Sequence, residues 1–478
     1  MSFKLRESEN HFIRDLKKGT HIHLMGICGT AMGSLAGLLK DMNFKITGSD
    51  VNVYPPMSTQ LEKLGIEIKK GFVKENLKPA PDFVIVGNVM TRQMDEVSAL
   101  MESKIPFTSL PKALGELFLK DRNTIVCCGT HGKTTTTSMA AWALECLDEK
   151  PGYLIGGVPG NFDYSFSARK SDWFVIEGDE YDTAFFDKVP KFKHYHPKNA
   201  ILTGIEFDHI DIYDSIDDVL KAFEILIDKI PLDGLLVYNG DDQNIKKLLE
   251  HKKPEFWKLS YGESEDLHAR LIEEVIVDQG TKVVYKIGDR EFEFIGNWFG
   301  TYNSLNFLSM MTVLDFKGFD MDKVMESAST YKGVARRQQQ IHHSSKLAVY
   351  EDFAHHPTAV KLTLESFKKR FPNKNLIAVF EPRSATSRKD VFQKEYVKSF
   401  ASADVAILAP VTKKSDLDLF SSDQLCKDLE EASVKALCPK TIKDIPMAVT
   451  SELKGDDVVV FMSNGGFEGV HLDFVKSL

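Results

Sequence analysis

The sequence predicts an α/β protein of three units. Three observations carry that prediction. At 478 residues the chain is longer than one hydrophobic core accommodates. Short apolar, strand-like runs alternate with helical stretches. Twice, such a run enters a glycine turn that opens directly into a helix, at 21–39 and at 124–144, the join that nucleotide-binding α/β units use for phosphate.

In the first unit His21 to Met25 read as a strand, and Gly26, Gly29 and Gly33 form a G-x-x-G-x-x-x-G turn into a helix through Leu35, Leu38 and Leu39. A second strand, Phe44 to Thr47, ends at Gly48-Ser49-Asp50. An acidic residue there is where a Rossmann-like unit meets a ribose hydroxyl. The spacing is not G-x-G-x-x-G, so a nucleotide diphosphate fits the turn as well as a dinucleotide does, and glycines serving only helix–strand packing remain the alternative. Further strands at Phe83 to Gly87 and Pro106 to Ser109 extend a small parallel sheet, and Leu114 to Lys120 bridges to the next unit.

The second unit is organised around T-I-V-C-C-G-T-H-G-K-T-T-T-T, Thr124 to Thr137. A buried strand, Thr124 to Cys128, runs into the turn Gly129-Thr130-His131-Gly132, and Lys133 to Thr137 open a helix. Backbone N–H groups and the helix N-terminus suit an anion, Lys133 adds a positive charge, and Thr134 offers a hydroxyl to a cation. The loop departs from G-x-x-x-x-G-K-[ST] at Cys127, where that spacing wants glycine. Trp173 to Ile176 is a strand whose end is crowded by Glu177, Asp179, Glu180 and Asp182. Ala200 to Ile205 is another, ending in E-F-D-H-I-D, Glu206 to Asp211. Each cluster alone reads as a solvated loop. Placed on the same rim as Lys133, at the carboxyl ends of strands, they read as oxygen ligands for Mg²⁺. Histidine is an unusual Mg²⁺ ligand, so chemistry alone does not give His209 that role. Leu271 to Val277, Val283 to Ile287, the turn Gly288-Asp289 and Glu291 to Ile295 predict a small, partly antiparallel addition. Gly300 to Met310 opens a helix with Asn303 and Asn306 on one face, suited to an adenine edge or to helix capping.

The third unit starts near Tyr331 to Gln340. Strands at Leu347 to Tyr350, Leu376 to Phe380, Asp404 to Ala409 and Val458 to Met462 alternate with helices from Pro357 to Phe371 and from Arg388. Asp352, His355, His356, Arg383 and Asn464 gather after strand ends; for the histidines, capping the helix after Pro357 competes with a site role. A net charge of −9 argues against non-specific nucleic-acid binding. Six scattered cysteines without zinc spacing predict free thiols in a reducing compartment. The polar N-terminus lacks a signal-peptide core and no apolar run reaches membrane-spanning length. A cytoplasmic protein is the expectation.

G-T-H-G-K-T-T-T-T, E-G-D-E-Y-D, E-F-D-H-I-D, Y-N-S-L-N, G-V-A-R-R and E-D-F-A-H-H-P follow one another in the order found in the Mur ligases, and the chain resembles that family along essentially its whole length. The resemblance implies a Rossmann-like UDP-sugar-binding domain (1–118), a central P-loop ATPase-like domain with the small β addition (119–332), and a C-terminal Rossmann-like domain (333–478). It implies ATP-dependent amide formation with Mg²⁺ in peptidoglycan metabolism. ATP would meet Gly129, Thr130, His131, Gly132, Lys133, Thr134, Thr135, Asn303, Asn306, Arg337 and Asp352. Thr134, Glu177 and His209 would hold Mg²⁺, with Lys133, Glu177, His209 and Arg337 the catalytic set. Gly26, Ile27, Cys28, Gly29 and Asp50 would face the UDP moiety, and Arg383 the incoming peptide, whose carboxylate suits a guanidinium.

G-I-C-G-T-A-M-G resembles the branch acting on UDP-N-acetylmuramate. E-G-D-E-Y-D-T-A-F-F-D-K, K-F-K-H-Y-H-P and F-E-P-R-S resemble members that add the tripeptide L-alanyl-γ-D-glutamyl-meso-diaminopimelate; addition of L-alanine is the alternative. A non-catalytic nucleotide-binding module or an NAD-dependent oxidoreductase are rivals of another class. Two departures from the family pattern stand out. Glu224 occupies the position of the carbamoylated lysine of other branches, so none is expected here, and Tyr302 stands where the family has histidine. Small-molecule substrates, no nucleic acid, no membrane, and a monomer or weak homodimer are expected.

Overall fold

A computed structural model describes residues 13–53, 57–412 and 419–478. Three large sheets follow one another along the chain, with one two-stranded sheet beside them. The first holds five parallel strands in the order β3-β2-β1-β4-β5: β1 His21–Met25, β2 Lys45–Asp50, β3 Glu67–Lys70, β4 Phe83–Val86 and β5 Phe107–Ser109. Its glycine turn opens the helix Thr30–Asp41. The second strand runs on to Asp50, so the carboxylate is part of the strand rather than of the loop beyond it. β3, which the sequence did not reveal, is a polar edge strand.

The central sheet has ten strands, in the order β17-β16-β15-β14-β13-β12-β6-β9-β7-β8. Its parallel centre comprises β6 Asn123–Cys128, β7 Gly152–Leu154, β9 Trp173–Gly178, β12 Asn199–Leu202, β13 Leu235–Asn239 and β14 Trp257–Gly262. The short strand β8, Phe166–Ser167, closes one edge. A two-stranded hairpin, β10 Asp182–Ala184 and β11 Asp187–Pro190, stands apart. The expected antiparallel strands are β15 Ala269–Val277, β16 Gly280–Ile287 and β17 Arg290–Gly296. β15 pairs in parallel with β14, so the hairpin extends the central sheet. The two-residue turn at Gly288 (φ +59°) is as its sequence requires.

The third sheet has the order β18-β19-β23-β20-β21-β22. Its strands are β18 Gln339–His343, β19 Leu347–Asp352, β20 Asn375–Phe380, β21 Val405–Leu408, β22 Lys435–Leu437 and β23 Asp457–Met462, parallel but for β18. The helix expected from Arg388 begins at Gln393. Central strands are buried along their whole length, as in β4, β12, β20 and β23, which is why they read as unbroken apolar runs. One expectation on the cysteines fails. Helix Ser422–Glu431 lies beside β22, which brings Cys426 and Cys438 together as a disulfide with Cα atoms 6.5 Å apart. Cys28, Cys127, Cys128 and Cys146 are free. Among the described residues no helix is long and apolar enough to cross a membrane.

The first unit sits against the central one by close contact. Ser34 Oγ lies 3.0 Å from Ser165 Oγ, and the Phe166 ring fills the space where a side chain on Gly37 would be.

Candidate active site

The carboxyl ends of β6, β9 and β12 form one rim, and a cavity of ≈ 900 Å³ opens over it, lined by residues of all three units. Gly129 (φ +124°) and Gly132 (φ +84°) adopt backbone conformations open to glycine. A Cβ on Gly132 would come 2.7 Å from Asn306 Oδ1, and one on Gly129 would strike Thr203 Oγ1 and lie 2.9 Å from Gly204 O. The loop is thus pressed between the end of β12 and the asparagine helix. Lys133, first residue of the helix Lys133–Cys146, bends back to donate to Gly129 O at 2.7 Å and to Glu180 Oε2 at 3.0 Å, with Asp179 Oδ1 at 3.8 Å. Burial works against its ammonium, but Glu180 and Asp179 outweigh it and raise the lysine above its usual range.

Thr134 Oγ1 donates to Glu177 Oε2 at 2.9 Å, and the Gly156 N–H donates to Glu177 Oε1. Burial, reinforced by the charge of Asp179, pushes the Glu177 carboxyl up. The three residues expected to hold Mg²⁺ divide. Thr134 and Glu177 are in contact. His209 (φ +53°) instead lies with Nε2 3.3 Å from Glu180 Oε1 and its ring 5.0 Å from that of Tyr181. Burial opposes the imidazolium, and Glu180 more than restores it, raising His209. The adjoining oxygens of Thr134 and Glu177 suit a hard divalent ion.

Asn303 and Asn306 lie buried on one face of the helix Thr301–Phe316, over the phosphate loop. Asn303 Nδ2 already donates to Phe299 O (3.0 Å) and Gln338 Oε1 (3.1 Å). From the third unit, Ala335 N–H donates to Val158 O, and Gly333 O accepts from Gly160 N–H, lacing the strap before β18 onto the central unit. Arg336 (φ +62°) and Gln338 (φ +50°) are backbone-strained on either side of Arg337. Arg336 is tied to Glu351 Oε1 (2.6 Å) and Ser463 O (2.8 Å). Arg337 reaches Thr134 Oγ1 at 3.4 Å, its guanidinium 4.5 Å from the Phe353 ring centre. Asp352 accepts the N–H groups of Gln338 and Ala354, both at 2.7 Å, so its carboxylate also braces the strap.

In the first unit, Gly26 (φ +81°), Cys28, Gly29 and Asp50 line the same cavity. Asp50 accepts from Cys28 N–H and Asn52 N–H, each at 2.9 Å, and so clamps the turn. Ile27 is fully buried beneath Gly48, so its side chain is core. Arg383 lies outside the cavity lining, Nη1 3.5 Å from Glu381 Oε1. Glu224 lies 3.7 Å from His251 Nε2, also outside the lining. Tyr302 lines the cavity.

Sequence reasoning missed Lys191. Its ammonium, buried, sits 2.7 Å from Asp179 Oδ2, 3.0 Å from Tyr181 Oη and 4.2 Å from the Tyr181 ring centre. The hairpin β10–β11 carries it back to the end of β9. The stretch K-F-K-H-Y-H-P that begins at Lys191 was visible, but nothing local showed that Lys191 itself is buried, which demands a carboxylate partner.

The chain is 38% identical, over 96% of its length and 98% of the other's, to the UDP-N-acetylmuramate–L-alanyl-γ-D-glutamyl-meso-2,6-diaminoheptandioate ligase of Escherichia coli (strain K12). It belongs to the Mur ligase family. The family's "Mur ligase family, catalytic domain" matches residues 21–122, its "Mur ligase middle domain" 127–314 and its "Mur ligase, glutamate ligase domain" 336–465. A UDP-N-acetylmuramate–L-alanine ligase of Clostridium botulinum (strain Hall) is 31% identical over 95% of this chain and 96% of its own. The crystal structure of a murein peptide ligase from Psychrobacter arcticus 273-4 superposes with a TM-score of 0.73 at 33% identity, covering 96% of this chain and 98% of that one. In this Mur ligase, then, both glycine turns and the strap from the third unit border one cavity.

Proposed function

We propose that this Mur ligase joins UDP-N-acetylmuramate to L-alanyl-γ-D-glutamyl-meso-diaminopimelate at the expense of ATP, in peptidoglycan recycling. The observation that carries the reading is the single cavity running from the Gly26–Gly29 turn to the Lys133 loop, closed by Arg337 and Asp352. The choice of tripeptide rests on the greater similarity to the tripeptide-adding relative.

The first turn and Asp50 hold the uridine nucleotide, with Gly26, Cys28 and Gly29 presenting backbone. Gly129 to Thr135 wrap the ATP phosphates, Asn303 and Asn306 border the adenine, and Asp352 borders the ribose. The lactyl carboxylate attacks the γ-phosphate, giving an acyl phosphate and ADP; the peptide amine then attacks the acyl carbon and expels phosphate. Two anions must approach each other, so charge neutralisation is the main demand on the site. Mg²⁺, held by Thr134 and Glu177, with His209 set against Glu180, would supply part of that neutralisation. Lys133 and Arg337 supply the rest from opposite walls. Enclosure between the units keeps water from the acyl phosphate. Arg383, outside the cavity, would reach only the far end of a peptide acceptor. A reaction that consumes ATP and a UDP-sugar belongs in the cytoplasm, and one chain furnishes every wall, so a monomer or a weak homodimer suffices.

The test offers the purified protein L-alanine and the tripeptide side by side, with UDP-N-acetylmuramate, ATP and Mg²⁺. ADP release and product mass are expected only with the tripeptide. Consumption of L-alanine in preference would overturn the assignment.

A further inference from the structure

The loop residue His131 has a second set of neighbours that the ligase reading leaves unused. Its Nε2 lies 3.5 Å from Glu206 Oε2, and the same oxygen lies 3.4 Å from Nδ1 of His356 in the third unit. The three donor atoms fall within 4.8 Å of one another, and the imidazole rings are 5.0 Å apart.

A proton on His131 Nε2 would account for the His131–Glu206 contact, but none accounts for the contact between His356 and Glu206. His356 Nε2 faces Phe207 O at 3.3 Å, and a carbonyl can only accept, so the ring proton is on Nε2. Nδ1 therefore turns a lone pair towards the carboxylate, sharing only a long 3.4 Å bond from Thr358 N–H. Buried His131 Nε2 has no hydrogen-bond partner. A lone pair facing a carboxylate oxygen is repulsive unless a cation stands between them. Ligands about 2.0–2.1 Å from a tetrahedral ion are about 3.4 Å apart, close to both observed separations. The outer contacts are also those of a metal site: Phe207 O fixes the His356 tautomer, and Thr358 Oγ1 donates to Glu206 Oε2 at 2.6 Å.

We propose that His131, Glu206 and His356 form a zinc-class transition-metal site, separate from the Mg²⁺ position at Thr134 and Glu177. Two ligands come from the central unit and one from the third, so a bound ion staples the third unit to the phosphate loop. Imidazole nitrogens select for such ions over Mg²⁺.

The test is equilibrium dialysis of the full chain against zinc chloride, without nucleotide, with metal content read by mass spectrometry. One zinc per chain is expected, retained in excess Mg²⁺. His356→Gln and Glu206→Gln should each weaken binding roughly 100-fold and abolish a zinc-induced rise in Tm. Should the variants fail to fold, Co²⁺ added to the unaltered chain still decides: ligand-field bands without a thiolate charge-transfer band are expected. No saturable zinc binding, undiminished binding in both variants, or a thiolate band would overturn the proposal. Because no nucleotide or substrate is present, the outcome is independent of whether the ligase reaction is correctly assigned.

Discussion

The two glycine turns of this Mur ligase share one backbone plan and differ in charge. Each joins a buried parallel strand to a helix, and each has a glycine at positive φ, Gly26 and Gly132. Around the first, the carboxylate of Asp50 is consumed by two backbone N–H groups, those of Cys28 and Asn52. Around the second, Lys133 is matched by Glu180 and Asp179, Asp179 is matched again by Lys191, and Glu177 is held by Thr134 and Gly156. The first turn is braced by its own carboxylate; the second is a buried charge lattice. The same local motif therefore says little about chemistry until its strand-end neighbours are known.

The sharpest way to break the comparison is Lys133→Ala. Turnover, read as ADP release, should fall about 10³-fold, the scale of losing one preorganised charge-stabilising group. Binding of UDP-N-acetylmuramate, read by calorimetry, should stay within experimental scatter. A parallel loss of sugar-nucleotide affinity would mean that the two turns are not separate devices. Next comes Lys191→Met, which strips Asp179 of one of its two cations in a buried setting. Unfolding free energy should drop by about 3 kcal/mol, seen as a lower denaturant midpoint at unchanged slope. Adding Asp179→Asn to that variant should recover part of the loss, since the orphaned charge is then gone. Full stability in Lys191→Met would show that the lattice does not depend on its outer cation.

A smaller effect tests the first turn. Asp50→Asn replaces one acceptor oxygen by a donor facing the N–H of Cys28 or Asn52. Affinity for UDP-N-acetylmuramate should fall roughly 10-fold, the consequence of a mismatch worth about 1–2 kcal/mol, with ATP affinity unchanged. Equal losses for both nucleotides would mean that the clamp supports the whole cavity and not the first turn alone.

Much of this architecture could be read from the chain because the central strands are buried on both faces. Runs such as Phe83–Val86 and Asp457–Met462 admit almost no polar residue, and their ends are marked by glycine or acid. The edges were hidden for the opposite reason: Glu67–Lys70 and Gln339–His343 are polar, half-solvated strands whose pairing alone defines them. The hairpin around Gly288 was visible through its turn chemistry. Its continuity with the central sheet depends on the β14–β15 pairing, which no local pattern encodes. In the site, Lys133 and the acidic clusters were legible because each follows a strand end. The partition of partners was not. Whether His209 sits against Glu177 or Glu180, and which carboxylate Lys191 meets, is decided by loops folding back on themselves. The His131–Glu206–His356 group is further removed still, drawn from three segments on two units.

The finest contrast between the turns is the strap that covers only the second. Arg336 and Gln338 hold left-handed conformations, so Arg337 is aimed at Thr134 only while its neighbours are anchored, and the charged anchor of Arg336 is Glu351. Burial works against the Glu351 carboxylate, but His471 and Arg336 outweigh it and hold its pKa below the usual glutamate range. A folded-state pKa lower than the unfolded value of about 4.3 means that the unfolded chain binds the proton more readily. The stabilisation is therefore complete above that pH and is lost as pH falls through the folded value. Glu351→Gln should flatten the acid limb of the stability profile in that window and leave stability near neutral pH lower by about 1 kcal/mol. ATP affinity should weaken slightly in the same variant, because Arg337 loses its aim while the Lys133 lattice stays intact. An acid limb as steep as in the parent chain would mean that the strap is held by its other contacts, those of Gly333, Ala335, Asp352 and Ser463, and not by Glu351.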